Sequence, residues 1–233
     1  MRSDLVSVAT ITWARTADEE ALLRRSLERL ADTGLLVSIA DAGTNASFTE
    51  FLHSCHGFVV TVPHERTLVA QVAASLNAAA KFDTPFLLYT EPDKEAFFAG
   101  PLADFIARAD GGSDVGVVLA ARSERAFTTF PRMQRYTEGV INHLCGELIG
   151  RAGDYSYGPF LLNRLLLPAL TELPADTGWG WRPFIFLAAH RRGFRVAHIT
   201  GDYECPPDQR EEDDAERAHR LRQLRENISG LLA

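Results

Sequence analysis

Tyr89-Thr90-Glu91-Pro92-Asp93-Lys94 places two carboxylates two residues apart, directly after the apolar run Phe86-Leu87-Leu88-Tyr89. Hard divalent ions take one or two carboxylates and complete their shell from phosphate and water, so Glu91 and Asp93 suit Mg²⁺ or Mn²⁺ held between protein and diphosphate. Pro92 stiffens the turn that presents them. An ordinary acidic turn is the competing reading. Asp41, in Ser38-Ile39-Ala40-Asp41-Ala42-Gly43-Thr44, also follows an apolar run; it either accepts hydrogen bonds from a base or ribose, or caps a turn. Asp154-Tyr155-Ser156-Tyr157-Gly158 combines an acid, two phenols and a residue without Cβ, which admits both close approach to a ligand and a plain turn. Gly178-Trp179-Gly180-Trp181 offers indoles for a sugar face or for a core. His219 stands among Arg217, Arg220, Arg222 and Arg225, as a late metal ligand, a phosphate contact, or part of a solvated face. GxSxG, Walker A, HExxH and GxGxxG are all missing.

The elements that must carry these residues follow from periodicity. Leu5 to Thr12, Leu35 to Ala40, Gly57 to Val62 and Pro85 to Tyr89 read as buried strands. Between them, Thr16 caps a helix that runs to Leu30, Ser47 to Ser54 forms a short helix, and Glu65 to Lys81 forms an Ala-rich one. Alternation at this spacing predicts a mostly parallel sheet with helices on both faces. Ligands of such sheets lie beyond the strand C-termini, where Thr12, Trp13, Arg15, Asp41, Glu91 and Asp93 all fall. Further on, Asp114 to Ala121 reads as a strand ending at Arg122, Pro131 to Ile149 as a helix, and Tyr155 to Phe160 as a strand or turn before a helix from about Leu161. Trp181 to Arg192 is a helix, Phe194 to Ile199 a strand, Pro206 to Asp214 a mobile acidic loop, and Ala215 to Leu232 a charged helix.

The 233 residues, 46% of them hydrophobic, suffice for one sizeable core. A net charge of -7 without a basic stripe argues against a nucleic-acid partner. Cys55, Cys145 and Cys205 lack CxxC spacing, so neither a disulfide framework nor structural zinc is expected, and a reducing cytoplasm fits. No signal-peptide pattern opens the sequence, and no apolar run reaches the length of a membrane span.

The order of these pieces resembles the GT-A glycosyltransferases, family-2-like enzymes related to dolichyl-phosphate-mannose synthase. The likeness covers about residues 5 to 200 and implies one domain over 1–233: a nucleotide-binding half to about 123, an acceptor half over 124–205, and a loop and helix over 206–233. It implies transfer of a sugar from a UDP- or GDP-linked donor to an unidentified acceptor, assisted by Mn²⁺ or Mg²⁺, with a homodimer admitted. Glu91-Pro92-Asp93 stands at the family's metal-binding acidic motif, and His219 is a candidate third ligand. Thr12, Trp13, Arg15 and Asp41 would hold the nucleoside, Arg122 would add charge stabilisation, and Tyr157, Gly158, Trp179 and Trp181 would shape the sugar or acceptor pocket. Two departures stand out. The first metal-motif acid is Glu91, and Trp181-Arg182-Pro183 occupies the place where inverting members carry a Glu-Asp pair. Asp154 and Asp176 are the nearest acids to serve as base. A nucleotidyltransferase would prefer glycine in Thr12 to Thr16, which has none; a non-catalytic binder on the same scaffold remains the other alternative.

Overall fold

A computed structural model describes every residue except Ala175. Seven strands form one sheet in the order β3-β2-β1-β4-β6-β5-β7. They are β1 (Val6–Thr12), β2 (Val37–Asp41), β3 (Phe58–Thr61), β4 (Phe86–Tyr89), β5 (Val115–Arg122), β6 (Phe160–Asn163) and β7 (Arg195–Gly201). All pairings are parallel except those of β6, which runs antiparallel between β4 and β5. The expected mostly parallel, helix-covered sheet is therefore present.

Side chains alternate across the sheet. Val8, Ile39, Leu88, Val118 and Leu161 face a core closed by α1 (Ala17–Ala31), α2 (Ala46–Ser54), α4 (Glu95–Phe98) and α5 (Pro101–Arg108). Ala9, Leu87, Tyr89, Val117, Phe160 and Leu162 face a second core closed by α3 (Leu68–Ala79), α7 (Arg132–Ile149), α8 (Trp181–Arg191) and α9 (Asp214–Leu232). The remaining helix, α6 (Glu124–Thr128), follows β5 directly. Thr16 caps α1 as predicted, accepting from the Glu19 amide at 3.1 Å.

Three differences from the sequence pattern have physical reasons. The helix expected from Leu161 is instead β6 followed by a 3-10 segment, Arg164–Glu172. Phe160, Leu161 and Leu162 are completely buried between two strands, and Pro168 denies the next stretch a regular α-helix. The two short helices over 95–108 carry too few residues to display a period; Phe97, Phe98 and Phe105 bury them against the sheet. The acidic segment before α9 is tied down. The Cys205 amide donates to Thr129 Oγ1 at 2.8 Å, Glu212 accepts from the Met133 amide at the start of α7, and Asp213 caps α9 through the Glu216 amide.

Candidate functional site

The C-terminal ends of β1 and β4 open onto two cavities. The first, of about 740 Å³, is walled by α7 (Gln134, Thr137, Glu138), by Tyr157 and Lys94, by Arg182 at the start of α8, and by the 209–213 segment with α9. The second, of about 700 Å³, is walled by Ile11 and Thr12 at the end of β1 and Trp13 and Arg15 after it, by Leu22 and Leu23 of α1, by Arg66, Leu68 and Gln71 at the start of α3, and by Asp176 and Trp179. Glu91, Asp93 and Trp179 line both cavities. The acidic motif stands at their junction.

The strand register fixes Glu91. β4 and β6 pair antiparallel with Tyr89 opposite Phe160, so two residues further along Glu91 falls opposite Gly158. Gly158 has φ of +132°, and a Cβ there would overlap Oε2 of Glu91. The glycine expected to admit a ligand instead admits the Glu91 carboxylate. Oε1 of Glu91 accepts from Arg182 Nη1 at 2.9 Å; the two side chains are only 14% and 11% exposed. Glu91 Oε2 and Asp93 Oδ1 are buried and have no protein partner. Two orphaned carboxylate oxygens on one cavity suit a divalent ion completed by phosphate and water. His219 lines the first cavity with them, but among the described residues no three His, Cys, Asp or Glu side chains gather as a metal cage. Burial and the neighbouring Arg220 depress the His219 pKa, with Glu216 opposing.

Asp41 is 4% exposed and occupied internally. Its carboxylate accepts from Thr12 Oγ1 (2.9 Å), Thr44 Oγ1 (2.7 Å), and the Gly43 and Thr44 amides (3.1 and 3.0 Å). It shapes the loop after β2 and lines neither cavity, so its contribution to the nucleoside site is to hold that loop. Arg122 and Asp154 are likewise engaged inside the protein. They bind each other, through Arg122 Nε to Oδ2 at 2.7 Å and Nη2 to Oδ1 at 2.9 Å. Asn142 and Ser156 also donate to Asp154, and Glu138 lies 2.7 Å from Arg122 Nη2. Burial alone would raise the Asp154 pKa; the Arg122 charge and its hydrogen bonds outweigh that and hold it well below the usual carboxylate range. A carboxylate so held is a poor general base. Arg122 is wholly buried under Phe127, Phe130 and Tyr157 and lines neither cavity.

The Gly178-Trp179-Gly180-Trp181 stretch splits. Trp181 is completely buried, edge-on to Tyr89 at 4.6 Å, so it is core and no sugar platform. Trp179 is half-buried at the junction. The glycines seat α9: a Cβ on Gly230 would strike the Gly180 carbonyl, one on Gly178 would strike Glu226, and Glu226 accepts from the Trp179 amide at 3.0 Å. Asp176 is exposed and lines the second cavity only. Arg15 pairs with Glu19 and lies 5.7 Å over the Trp13 ring. Tyr157 stacks on Tyr203, with Lys94 Nζ 5.1 Å from its ring. Arg66, Lys94 and the α7 residues carry no local motif; only an apolar helix start or face marks their stretches.

Neither protein-family models nor curated protein sequences give a match to this chain. Solved structures do. Glucosyl-3-phosphoglycerate synthase from Mycobacterium tuberculosis, in complex with Mn²⁺, UDP and glucosyl-3-phosphoglycerate, superposes with a TM-score of 0.63 at 16% identity, over 97% of this chain and 78% of that one. The shared architecture is the GT-A fold. The same enzyme with Mn²⁺, UDP-glucose and phosphoglyceric acid gives 0.59 at 17%, and with Mn²⁺, UDP-glucose and glycerol 3-phosphate 0.60 at 16%, both with the same coverage. The GT-A sheet thus underlies both cavities, with Glu91 and Asp93 where β4 ends.

Proposed function

We propose that this chain is a metal-dependent glycosyltransferase that moves a sugar from a nucleoside-diphosphate donor to an acceptor held in the α7/α9 cavity. The observation carrying this reading is the meeting of two cavities at Glu91, Asp93 and Trp179. Trp13, 42% exposed, with Ile11 and Leu68, offers an apolar wall to the base, and Arg15 and Arg66 supply cations to the phosphates. Trp179 would flank the sugar where the cavities join. Glu91 Oε2 and Asp93 Oδ1 would hold Mn²⁺ or Mg²⁺, whose contribution when bound is to neutralise diphosphate charge. The solved relatives in complex with Mn²⁺ and UDP or UDP-glucose support this choice. With Asp154 locked by Arg122, Asp176, which lines the donor cavity, would serve as base only for an acceptor hydroxyl that reaches the junction. The three free cysteines agree with a cytoplasmic setting. Among the described residues, no helix is long and apolar enough to cross a membrane.

Thermal melting with UDP or GDP and Mn²⁺, alongside turnover of UDP- and GDP-sugars, tests the reading. One nucleotide with metal should raise the melting temperature of the wild type. Asp93→Ala should lose the metal-dependent part of that rise and, on the order of 100-fold, turnover. Binding without turnover would favour a non-catalytic nucleotide-sugar binder, which the arginine at position 182 also favours. Absence of both binding and turnover would sink the proposal.

A further inference from the structure

Arg182 uses one side of its guanidinium and leaves the other unmet. Nη1 donates to Glu91 Oε1 at 2.9 Å, while Nε and Nη2 are buried with no partner in the protein. Those two nitrogens form one edge of the planar group, a parallel pair of donors matched by two oxygens of a carboxylate or phosphate. The protein itself shows what such an edge takes: the Nε and Nη2 edge of Arg122 is filled by the two oxygens of Asp154. Buried donors left unmet cost stability, so a retained free edge is a place for a ligand. Arg182 lines the first cavity and holds Glu91, which lines both. It lies in the first turn of α8, directly before Pro183, which has no amide hydrogen, so the guanidinium is the donor this turn offers.

We propose that the Nε and Nη2 edge of Arg182 binds the diphosphate of the donor, as the protein's own fixed cation at the junction, while Nη1 keeps Glu91 in place. This rests on the nucleotide-sugar reading above and adds that part of the diphosphate affinity needs no metal. A departing diphosphate would find this charge already positioned, without reorganisation.

Calorimetric titration of UDP, GDP and inorganic pyrophosphate in EDTA, repeated with Mn²⁺, tests it. The wild type should bind pyrophosphate and one nucleotide in EDTA, and Arg182→Gln should weaken both by tenfold or more. Arg182→Lys, which keeps the charge but loses the edge, should recover only part of that. Removal of Arg182 strands the buried Glu91, so the double variant Glu91→Gln, Arg182→Gln is the folding control; its far-UV spectrum and melting should match the wild type while its binding in EDTA stays weak. Binding in EDTA within twofold of wild type by folded Arg182→Gln overturns the proposal, as does a wild type that binds only with Mn²⁺; in either case the nucleotide-sugar reading survives. No binding under any condition overturns both. Titration of inorganic phosphate in saturating UDP covers the other source: if Arg182→Gln loses phosphate but keeps UDP, the edge serves an acceptor anion and the donor assignment is wrong.

Discussion

Arg122 and Arg182 are both buried against carboxylates, and the number of oxygens each meets separates their roles. Arg122 is surrounded by Asp154, Glu138, Ser156 and three aromatic rings, so its charge is spent inside the protein. Arg182 meets a single oxygen. Truncation of Asp154 removes the main partner of a guanidinium with no access to water. Asp154→Ala is therefore expected to cost about 3 kcal/mol in urea unfolding, the low end for a broken buried pair because Glu138 remains. A loss of activity in that variant with unchanged melting would mean that Asp154 acts chemically after all. The sequence offered no means of pairing residues 122 and 154: both are polar positions next to apolar runs, and the partnership arises from β5 ending beside the loop that leads into β6.

At the level of elements, α9 is held by glycine contacts rather than by a broad apolar face. Gly230 packs on the Gly180 carbonyl, and Glu226 receives the Trp179 amide. Gly230→Ala must push the helix away from backbone that cannot yield, with an expected loss of about 2 kcal/mol in thermal or urea unfolding. Gly139→Ala, in α7 with open space around its missing Cβ, should instead gain up to about 1 kcal/mol in the same assay. Equal effects of the two would refute the glycine seat. The parallel strands and their helices were legible because β-branched runs and helical stripes repeat at regular intervals along residues 5–89. β6 was not, because three apolar residues before a leucine-rich stretch satisfy a strand and a helix equally. The indoles of Gly178-Trp179-Gly180-Trp181 were open to a sugar face or a core, and the use of the glycines was not legible, since their neighbour, α9, lies some 50 residues further along the chain.

Across the whole molecule, charge and burial set how the fold answers to acid. His198 on β7 is largely buried, meets Tyr155 edge-on at 4.6 Å, and has no hydrogen-bond partner for either ring nitrogen. Burial first, then the nearby Arg151 charge, with Asp154 opposing, brings its pKa from 6.5 down to about 4. The unfolded chain then takes up this proton before the folded one does. Stability is complete above about pH 6.5 and declines toward pH 4, by about 1 kcal/mol per pH unit. Urea midpoints at pH 7 and pH 5 should show this decline, and His198→Gln should flatten it; an equal slope in the variant would shift the effect to His219, whose pKa is also depressed.

The pairing of β4 with β6 bears on which changes of length the chain can tolerate. Glu91 faces Gly158 only because the ladder counts back from Tyr89 and Phe160 without a break. With Phe160 held opposite Tyr89, a residue added or deleted between Gly158 and Phe160 would bring Tyr157, Pro159 or the added residue opposite Glu91, and its side chain would occupy the space that the carboxylate now fills. Substitutions in this stretch alter local contacts, whereas an insertion or deletion moves the whole frame against which the acidic motif is aligned. In a lineage of such chains, the spacing from residue 158 to residue 160 would stay constant while the loops on the far edge of the sheet lengthened and shortened freely.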